Sequence, residues 1–519
     1  MNTLRAVLGA VGVLLSACSG GNSGASDSGA AGTNSAGQGT AGTAQPGGGG
    51  APLSDGGAAG ASAGAAGLAE GGSAGNGGSA GNGGSAGART IGHDYYCDPI
   101  SGLPTNAGSA ASPWRRLEEV FAAAKTFEDG DVIHLLTGNH GSPVITGGIL
   151  SGTRTISAQS GQTPVMRTIR FAAGATHWTV DGVLVSPLEA DGKASAAMLV
   201  QFDTGAMNDV LQNSQLRYAP DAIASTWDNA AWVKNSGTAV FVVGTDNQII
   251  GNKIRNTHVG VQLERSNAAG VGATGSLVRG NSVDHFWEDA YRARVSNCTF
   301  EYNSAVNSYA VVPPGTEADP PHRDMFQSYS GYTPPGGIDN IVLRGNVFIA
   351  RQGTRYSSVP FQYGTHYTIQ GLSAFDGPYG NWTIENNVVM VEVGLAMNLY
   401  GMSNSKIVNN TVVPDTFGTD SELRLTDLKG VPSTNDVVRN NLVHTLNIAA
   451  AMNAQASNNL SIASGAYSSY FLSYAAGDVR LKAGSPAIGA GTMTDAPALD
   501  AAGVSRSAPY DVGAYEFTP

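Results

Sequence analysis

From Asn213 onward one short pattern recurs: a polar turn, an asparagine, then a β-branched or apolar residue two places on. It reads Gly251-Asn252-Lys253-Ile254, Gly280-Asn281-Ser282-Val283, Gly345-Asn346-Val347-Phe348, Asn386-Asn387-Val388-Val389, Asn409-Asn410-Thr411-Val412 and Asn440-Asn441-Leu442-Val443, with weaker copies at Asn303 and Asn459. Successive intervals from Asn252 are 29, 22, 43, 41, 23, 31 and 18 residues, which fit a unit of about 22 that is sometimes lengthened or skipped. A period of this size predicts a solenoid, in which each repeat covers the apolar face of its neighbour. Apolar residues such as Ile249-Ile250, Ile341-Val342-Leu343 and Val437-Val438 precede the asparagine and more follow it, so each unit reads strand, turn, strand. Asparagine suits such a turn because it tolerates left-handed backbone, and its amide can bond the matching amide one coil away, about 4.8 Å along the stack.

Strands bent around asparagine turns resemble the right-handed parallel β-helix of the pectate-lyase-like superfamily. The resemblance runs from about Asp94 to Phe517 and implies an all-β fold, a single-stranded solenoid with a short N-terminal capping helix. Asp94-Tyr95-Tyr96-Cys97-Asp98-Pro99 and Gly130-Asp131-Val132-Ile133 look like that family's opening segment. Between them Ser112 is the expected N-cap, Pro113 lies in the first turn, and Trp114, Leu117, Phe121 and Ala124 share one helical face. That helix is expected to cover the open first coil. Gly484-Ser485-Pro486-Ala487-Ile488 and Asp511-Val512-Gly513-Ala514-Tyr515-Glu516-Phe517 are similar to the closing segments of exported β-helix proteins, so the tail is expected to be a cap.

The N-terminal part of the chain has a different composition. Arg5 precedes an apolar run from Ala6 to Leu15, too short for a membrane span and ending in small residues, as in an export signal over residues 1–17. Leu15-Ser16-Ala17-Cys18 resembles the lipobox of bacterial lipoproteins. The resemblance implies lipidation of Cys18, and Ser19 after it implies the outer membrane or cell surface. Residues 18–88, almost all Gly, Ala, Ser, Asn and Thr after the cysteine, bury too little apolar surface to fold. As a flexible tether they reach roughly 45 Å. The β-helix domain is expected over 89–519, held to a membrane through lipid only and acting as a monomer. Of 519 residues 13% are charged, with a net charge of −12; that balance excludes nucleic acid as a main partner, which needs a basic surface. Cys97 and Cys298 are not assigned to a disulfide.

A parallel β-helix works on an outer face, where side chains of successive coils align between long turns. The strand Val259-Gly260-Val261-Gln262-Leu263-Glu264 alternates, turning Gln262 and Glu264 outward. Trp287-Glu288-Asp289-Ala290-Tyr291-Arg292 follows one coil later. Next comes Pro321-His322-Arg323-Asp324-Met325-Phe326-Gln327-Ser328-Tyr329, the densest cluster of functional groups in the chain. It resembles the His-x-Asp-x-x-Gln strand found in some uncharacterised β-helix proteins of the carbohydrate-active type. Adjacent Met325 and Phe326 leave the facing open: strict alternation with Phe326 inward buries His322 and Asp324, and a bulge turns them out. Asp376, Asn398 and Tyr400 extend the candidate sugar-binding surface together with Gln262, Glu264, Gln327 and Tyr329. His134, His177, His258, His285, His366 and His444 are read as structural. Zinc patterns, phosphate loops and Gly-x-Ser-x-Gly elbows are absent from the sequence.

Three functions remain open. The first is β-elimination, or C5 epimerisation, of a uronic-acid polysaccharide at the cell surface. That chemistry needs the sugar carboxylate neutralised, a base at C5 and an acid for the leaving oxygen. Arg292, Arg323 or calcium neutralises, His322 is the base, and Tyr291 or Tyr329 is the acid. Glu264, Glu288, Asp289 and Asp324 are the calcium candidates, and calcium is the one cofactor considered. The second is glycoside hydrolysis by Asp289 and Asp324, for which placement one rung apart gives a spacing near the retaining distance and diagonal or two-rung placement suits inversion. The third is a non-catalytic surface β-helix that binds polysaccharide or mediates adhesion.

Overall fold

The computed structural model describes residues 92–148, 152–266, 272–316, 321–330, 337–353, 369–416, 418 and 420–519. The expected export signal (1–17), the lipidated Cys18, the tether (18–88) and His366 lie outside the described residues. Among those described, no helix is long and apolar enough to cross a membrane.

The chain winds as a right-handed parallel β-helix with three long sheets of 13, 12 and 11 strands. One coil shows the path. Leu277–Arg279 lies in the first sheet, Ser282–Phe286 in the second and Asp289–Ala293 in the third. The next coil repeats this in parallel register, with Val278 beside Phe300, Val283 beside Ala305 and Tyr291 beside Phe326.

The asparagine repeat marks the corner between the first and second sheets. Nδ2 of Asn252, Asn281, Asn303, Asn346, Asn387, Asn410 and Asn441 each donates to Oδ1 of the next, at 2.9–3.1 Å. The same Oδ1 takes the preceding coil's backbone N–H, as in Asn303 N to Asn346 Oδ1 at 3.1 Å. Left-handed backbone falls one residue earlier than expected, on Gly251, Gly280, Tyr302, Gly345, Asn386, Asn409 and Asn440. The turn thus separates two tasks, one residue bending the chain and the next closing its hydrogen bonds.

The lumen is apolar and stacked, Phe171 lying flat on Phe202 at 4.2 Å. In the third sheet the alternation breaks at one level in coil after coil. Leu199-Val200, Ala239-Val240, Ala290-Tyr291, Met325-Phe326 and Ala396-Met397 are consecutive pairs that both belong to the core. The strand pairing skips the first member of these pairs and keeps its register. Gly260 and Gly371 occupy the same level, where space is tightest. A Cβ on Gly371 meets the Ala396 carbonyl oxygen at 2.0 Å and Val389 Cγ1 at 2.4 Å. Gly371→Ala is therefore expected to destabilise the fold by about 1–3 kcal/mol, read as a lower midpoint in chemical denaturation.

Both ends differ from expectation. The first helix is Leu117–Ala122, with Arg116 at its N-cap and no side-chain cap bond. Ser112 does not cap it, because Trp114 is held as a bridge beside Cys97, which keeps 112–114 extended. Leu117, Val120 and Phe121 are buried, while Ala124 is exposed with φ 48°. The C-terminal segment straps the side of the coil instead of closing its end. Asn386, Asn409 and Asn440 donate to the carbonyls of Leu499, Asp511 and Thr492, and Tyr467, Phe471, Val512 and Ala514 pack on outward Val388, Val413 and Leu442 of the second sheet. Cys97 and Cys298 are buried free thiols.

Candidate functional site

The kink in the third sheet decides which way the acidic residues face. Met325 and Phe326 both enter the core, so Asp324 before them and Gln327 after them stand together on the outer side. Asp324 Oδ2 takes a hydrogen bond from Gln327 Nε2 at 3.1 Å and lies 3.1 Å from His322 Nδ1. One coil back Ala290 and Tyr291 are the core pair, and Asp289 turns outward with Arg292, whose Nε donates to Asp289 Oδ2 at 2.6 Å. The two aspartates are register partners, and Asp324 N–H donates to Asp289 Oδ1 at 3.1 Å.

A continuous polar network spreads from this pair. Arg292 Nη2 donates to Glu288 Oε1 at 2.8 Å, and Glu288 also pairs with His258, which stacks on Trp287 at 3.8 Å. Trp287 Nε1 donates to Ser236 Oγ at 2.9 Å, tying the network to the end of helix Asn229–Asn235. On the other side Arg294 Nη1 reaches Glu264 Oε2 at 2.8 Å, and Gln262 Nε2 donates to the same oxygen at 3.0 Å. Tyr329 lies under both guanidinium groups, 4.4 Å from Arg294 and 5.9 Å from Arg292.

Burial sorts these groups by what they can do. Asp289 and Asp324 side chains are 0% exposed, whereas the His322 side chain is 58% exposed. Burial pushes the Asp289 carboxyl up to about 7; Arg292 opposes the shift and the neighbouring Asp324 and Glu288 charges add to it. Burial alone raises Glu288, but His258 and Arg292 hold it well below the usual carboxylate range. The hydrogen bond to Asp324 lifts His322 to about 9 against the opposing pull of burial, with Asp289 and Glu288 adding to the rise. Nδ1, and not Nε2, is the ring nitrogen that meets Asp324 and Gln327. Burial raises the Tyr329 hydroxyl, and the two arginines pull it back.

Several expected residues do not join this surface. Tyr291 faces the core, its hydroxyl bonded to the backbone oxygens of Asn281 and Ser304 at 3.0 Å, and burial drives its pKa far above the usual value; it is not the acid. Arg323 is fully buried and donates to the Val311 carbonyl. Asp376 is exposed at its strand end, 4.0 Å from Lys429 Nζ, with no bond to the aspartate pair. Asn398 is buried on the outer side between core residues Met397 and Leu399, and Tyr400 accepts from Arg424 Nη1 at 3.4 Å. The calcium set of Glu264, Glu288, Asp289 and Asp324 is not assembled, because Arg294, Arg292 and His258 already engage three of the four. Among the described residues no group of three or more His, Cys, Asp and Glu is placed to hold a metal.

His258, Trp287 and Arg294 belong to the network although the sequence reading left them out. Arg294 had a signal, since it stands two places after Arg292 on the same strand face. His258 had none, because its partner Glu288 comes from the next coil.

No family model matches the sequence, and no curated protein matches it. Among solved structures the chain is similar to a rhamnogalacturonan lyase, at 14% identity and TM-score 0.38 over 71% of this chain and 87% of that one. It is also similar to pectate lyase Pel9A, at 17% identity and TM-score 0.36 over 82% and 96%, and to XylC in complex with xylose, at 8% and 0.43 over 71% and 83%.

Proposed function

We propose that the chain is a carbohydrate-active enzyme that removes the C5 proton of a uronic-acid unit, cleaving the polysaccharide by β-elimination or epimerising it. The observation that carries this is His322, a solvent-facing imidazole held from behind by the buried carboxylate of Asp324. In elimination neutral His322 Nε2 takes the C5 proton and the C–H electrons form the C4–C5 double bond. The C4–oxygen bond breaks, and Tyr329 donates its hydroxyl proton to the departing oxygen. Arg292 and Arg294 lower the energy of the sugar carboxylate as charge develops on it. In epimerisation the carbanion is reprotonated from the opposite face and no bond to oxygen breaks.

A second reading, hydrolysis by Asp289 and Asp324, is favoured by Asp289's carboxyl at about 7 beside a second carboxylate. The lyase reading is preferred because both of these carboxylates are sealed from solvent and both Asp289 oxygens are engaged. Incubation with polygalacturonate, alginate and glycosaminoglycans separates the readings. Elimination yields products that absorb in the ultraviolet, epimerisation alters the uronate composition at constant chain length, and hydrolysis yields reducing ends without new absorbance. Binding without any of these identifies a non-catalytic binder.

Residues 1–17 are proposed to direct export and Cys18 to carry lipid, displaying the domain as a monomer on its glycine-rich tether. Cys18→Ser is expected to move the protein from the membrane fraction to the soluble one.

A further inference from the structure

The two ends of the coil are finished differently. At the first, Asp94–Cys97 is covered by its own chain: Tyr96 N–H donates to the Gly108 carbonyl oxygen at 2.7 Å, and Trp114 N–H donates to that of Tyr96 at 2.9 Å. Helix Leu117–Ala122 packs beside Val144–Ile145, the outermost strand of the third sheet at that end. At the other end the sheets stop at Gln455–Ser457, Leu460–Ser461 and Thr445–Asn447, and among the described residues no strand follows them. The apolar lumen opens there. Val438 and Val443 are fully buried, whereas Ala456 and Ser461, their partners on the last coil, are exposed. Ala449, Ala450 and Met452 of the same coil are exposed as well.

Open strand edges normally carry a safeguard. Charged side chains, proline or a bulge keep them from pairing with another chain. From Thr445 to Gly477 the sequence has no Asp, Glu, Lys, Arg, His or Pro. The whole chain has a net charge of −12, so two copies repel where their charged surfaces meet, and this end is where they approach at least cost. A partner recognised through charge would find nothing here to pair with.

We propose that the last coil is a pairing surface for the last coil of a second copy of this chain. A two-fold axis perpendicular to the coil axis sets Gln455–Ser457 antiparallel to its own copy, with Ala456 meeting Ala456, and lays Thr445–Asn447 of each chain against Leu460–Ser461 of the other. Main-chain N–H and C=O groups then bond across the junction, and the two lumens join into one apolar core. Because the first end is covered, assembly stops at two copies and does not run on into a fibre. One coil is a small contact, so the pairing is reversible at micromolar concentration, and the displayed monomer pairs where display crowds it. Ile369–Asp376, Met397–Tyr400 and Glu422–Thr426 separate the His322 strand from this edge, so the inference is independent of the reaction assigned to His322.

The test is sedimentation velocity of the full chain carrying Cys18→Ser, from low to high micromolar concentration, with amide hydrogen exchange at both extremes. The sedimenting mass is expected to rise from one chain to two and no further, while the amides of 445–461 gain protection. Salt is expected to strengthen the pairing, because it screens the repulsion between two acidic chains and the contact holds no ion pair. Ala456→Lys, which sets two ammonium groups face to face, is expected to weaken the pairing by about ten-fold or more, and Ala456→Ser to leave it intact. Met452→Lys, at an exposed position on the same coil, is expected to weaken it too and keeps the test valid if Ala456→Lys folds poorly. A single chain at every concentration, a dimer that neither lysine variant weakens, a dimer that salt dissociates, or growth beyond two copies overturns the proposal. A single chain whose 445–461 amides are protected throughout also overturns it, and shows that the same chain covers this end.

Discussion

His322→Gln lowers kcat on the uronic-acid polysaccharide by about 10²- to 10⁴-fold, the usual worth of a positioned acid–base group, and changes KM little. Glutamine keeps a polar side chain of similar reach but cannot take up a proton. The wild-type pH profile carries the same information. His322 sits near 9 because Asp324 stabilises its charged form, so the neutral base is scarce at pH 7. The rate is expected to climb with pH and level off near 9. Asp324→Asn removes the carboxylate and moves that limb toward the ordinary histidine value of about 6.5. Stability moves the other way. The folded value is above the unfolded one, so the ion pair's contribution is complete below about 6.5 and is lost as pH rises through about 9. Steady-state rates and thermal midpoints across that range check both signs.

The second large effect is on the fold. Asn346→Ala is expected to cost about 3 kcal/mol or more, because several buried polar groups lose partners together. Asn346 Oδ1 receives both the backbone N–H and Nδ2 of Asn303, and Asn346 Nδ2 serves Phe300 O and Asn387 Oδ1, all within 2.9–3.1 Å. Water cannot replace them at a site with 0% exposure. Each amide both accepts from one neighbour and donates to the other, so the break affects the coils on either side. The expected denaturation curve has a markedly lower midpoint. A curve with two steps would show that the two halves of the coil unfold separately.

Most of the coil was legible because its corner is written locally. An asparagine with apolar residues on both sides recurs at intervals that match the ladder, from 29 residues between Asn252 and Asn281 to 18 between Asn441 and Asn459. The site was half legible. Residue types alone drew attention to His322, Asp324, Asp289 and Arg292, and the structure brings those four together. Their facing was not readable from period two, because Met325 and Phe326 enter the core as a pair. The small residues Ala239, Gly260, Ala290, Gly371 and Ala396 mark that level, and they form a column only once the register is known. Tyr291 and Arg323 were misplaced for the same reason: at the kink two neighbours face the same way, so Tyr291 enters the core with Ala290, and Arg323 falls on the opposite face of its strand from Asp324. His258 and Arg294 act through partners on other coils, and the tail, which binds Asn386 and Asn440 from the side, gave no local sign of its course.

The most direct test of the account is titration of the His322 imidazole in the intact protein by nuclear magnetic resonance, with Asp324→Asn as the comparison. An apparent pKa near 9 that falls toward the ordinary value in Asp324→Asn is the predicted result. An ordinary value in both proteins would contradict the account, because it would mean that His322 and Asp324 do not meet on the outer face of the third sheet.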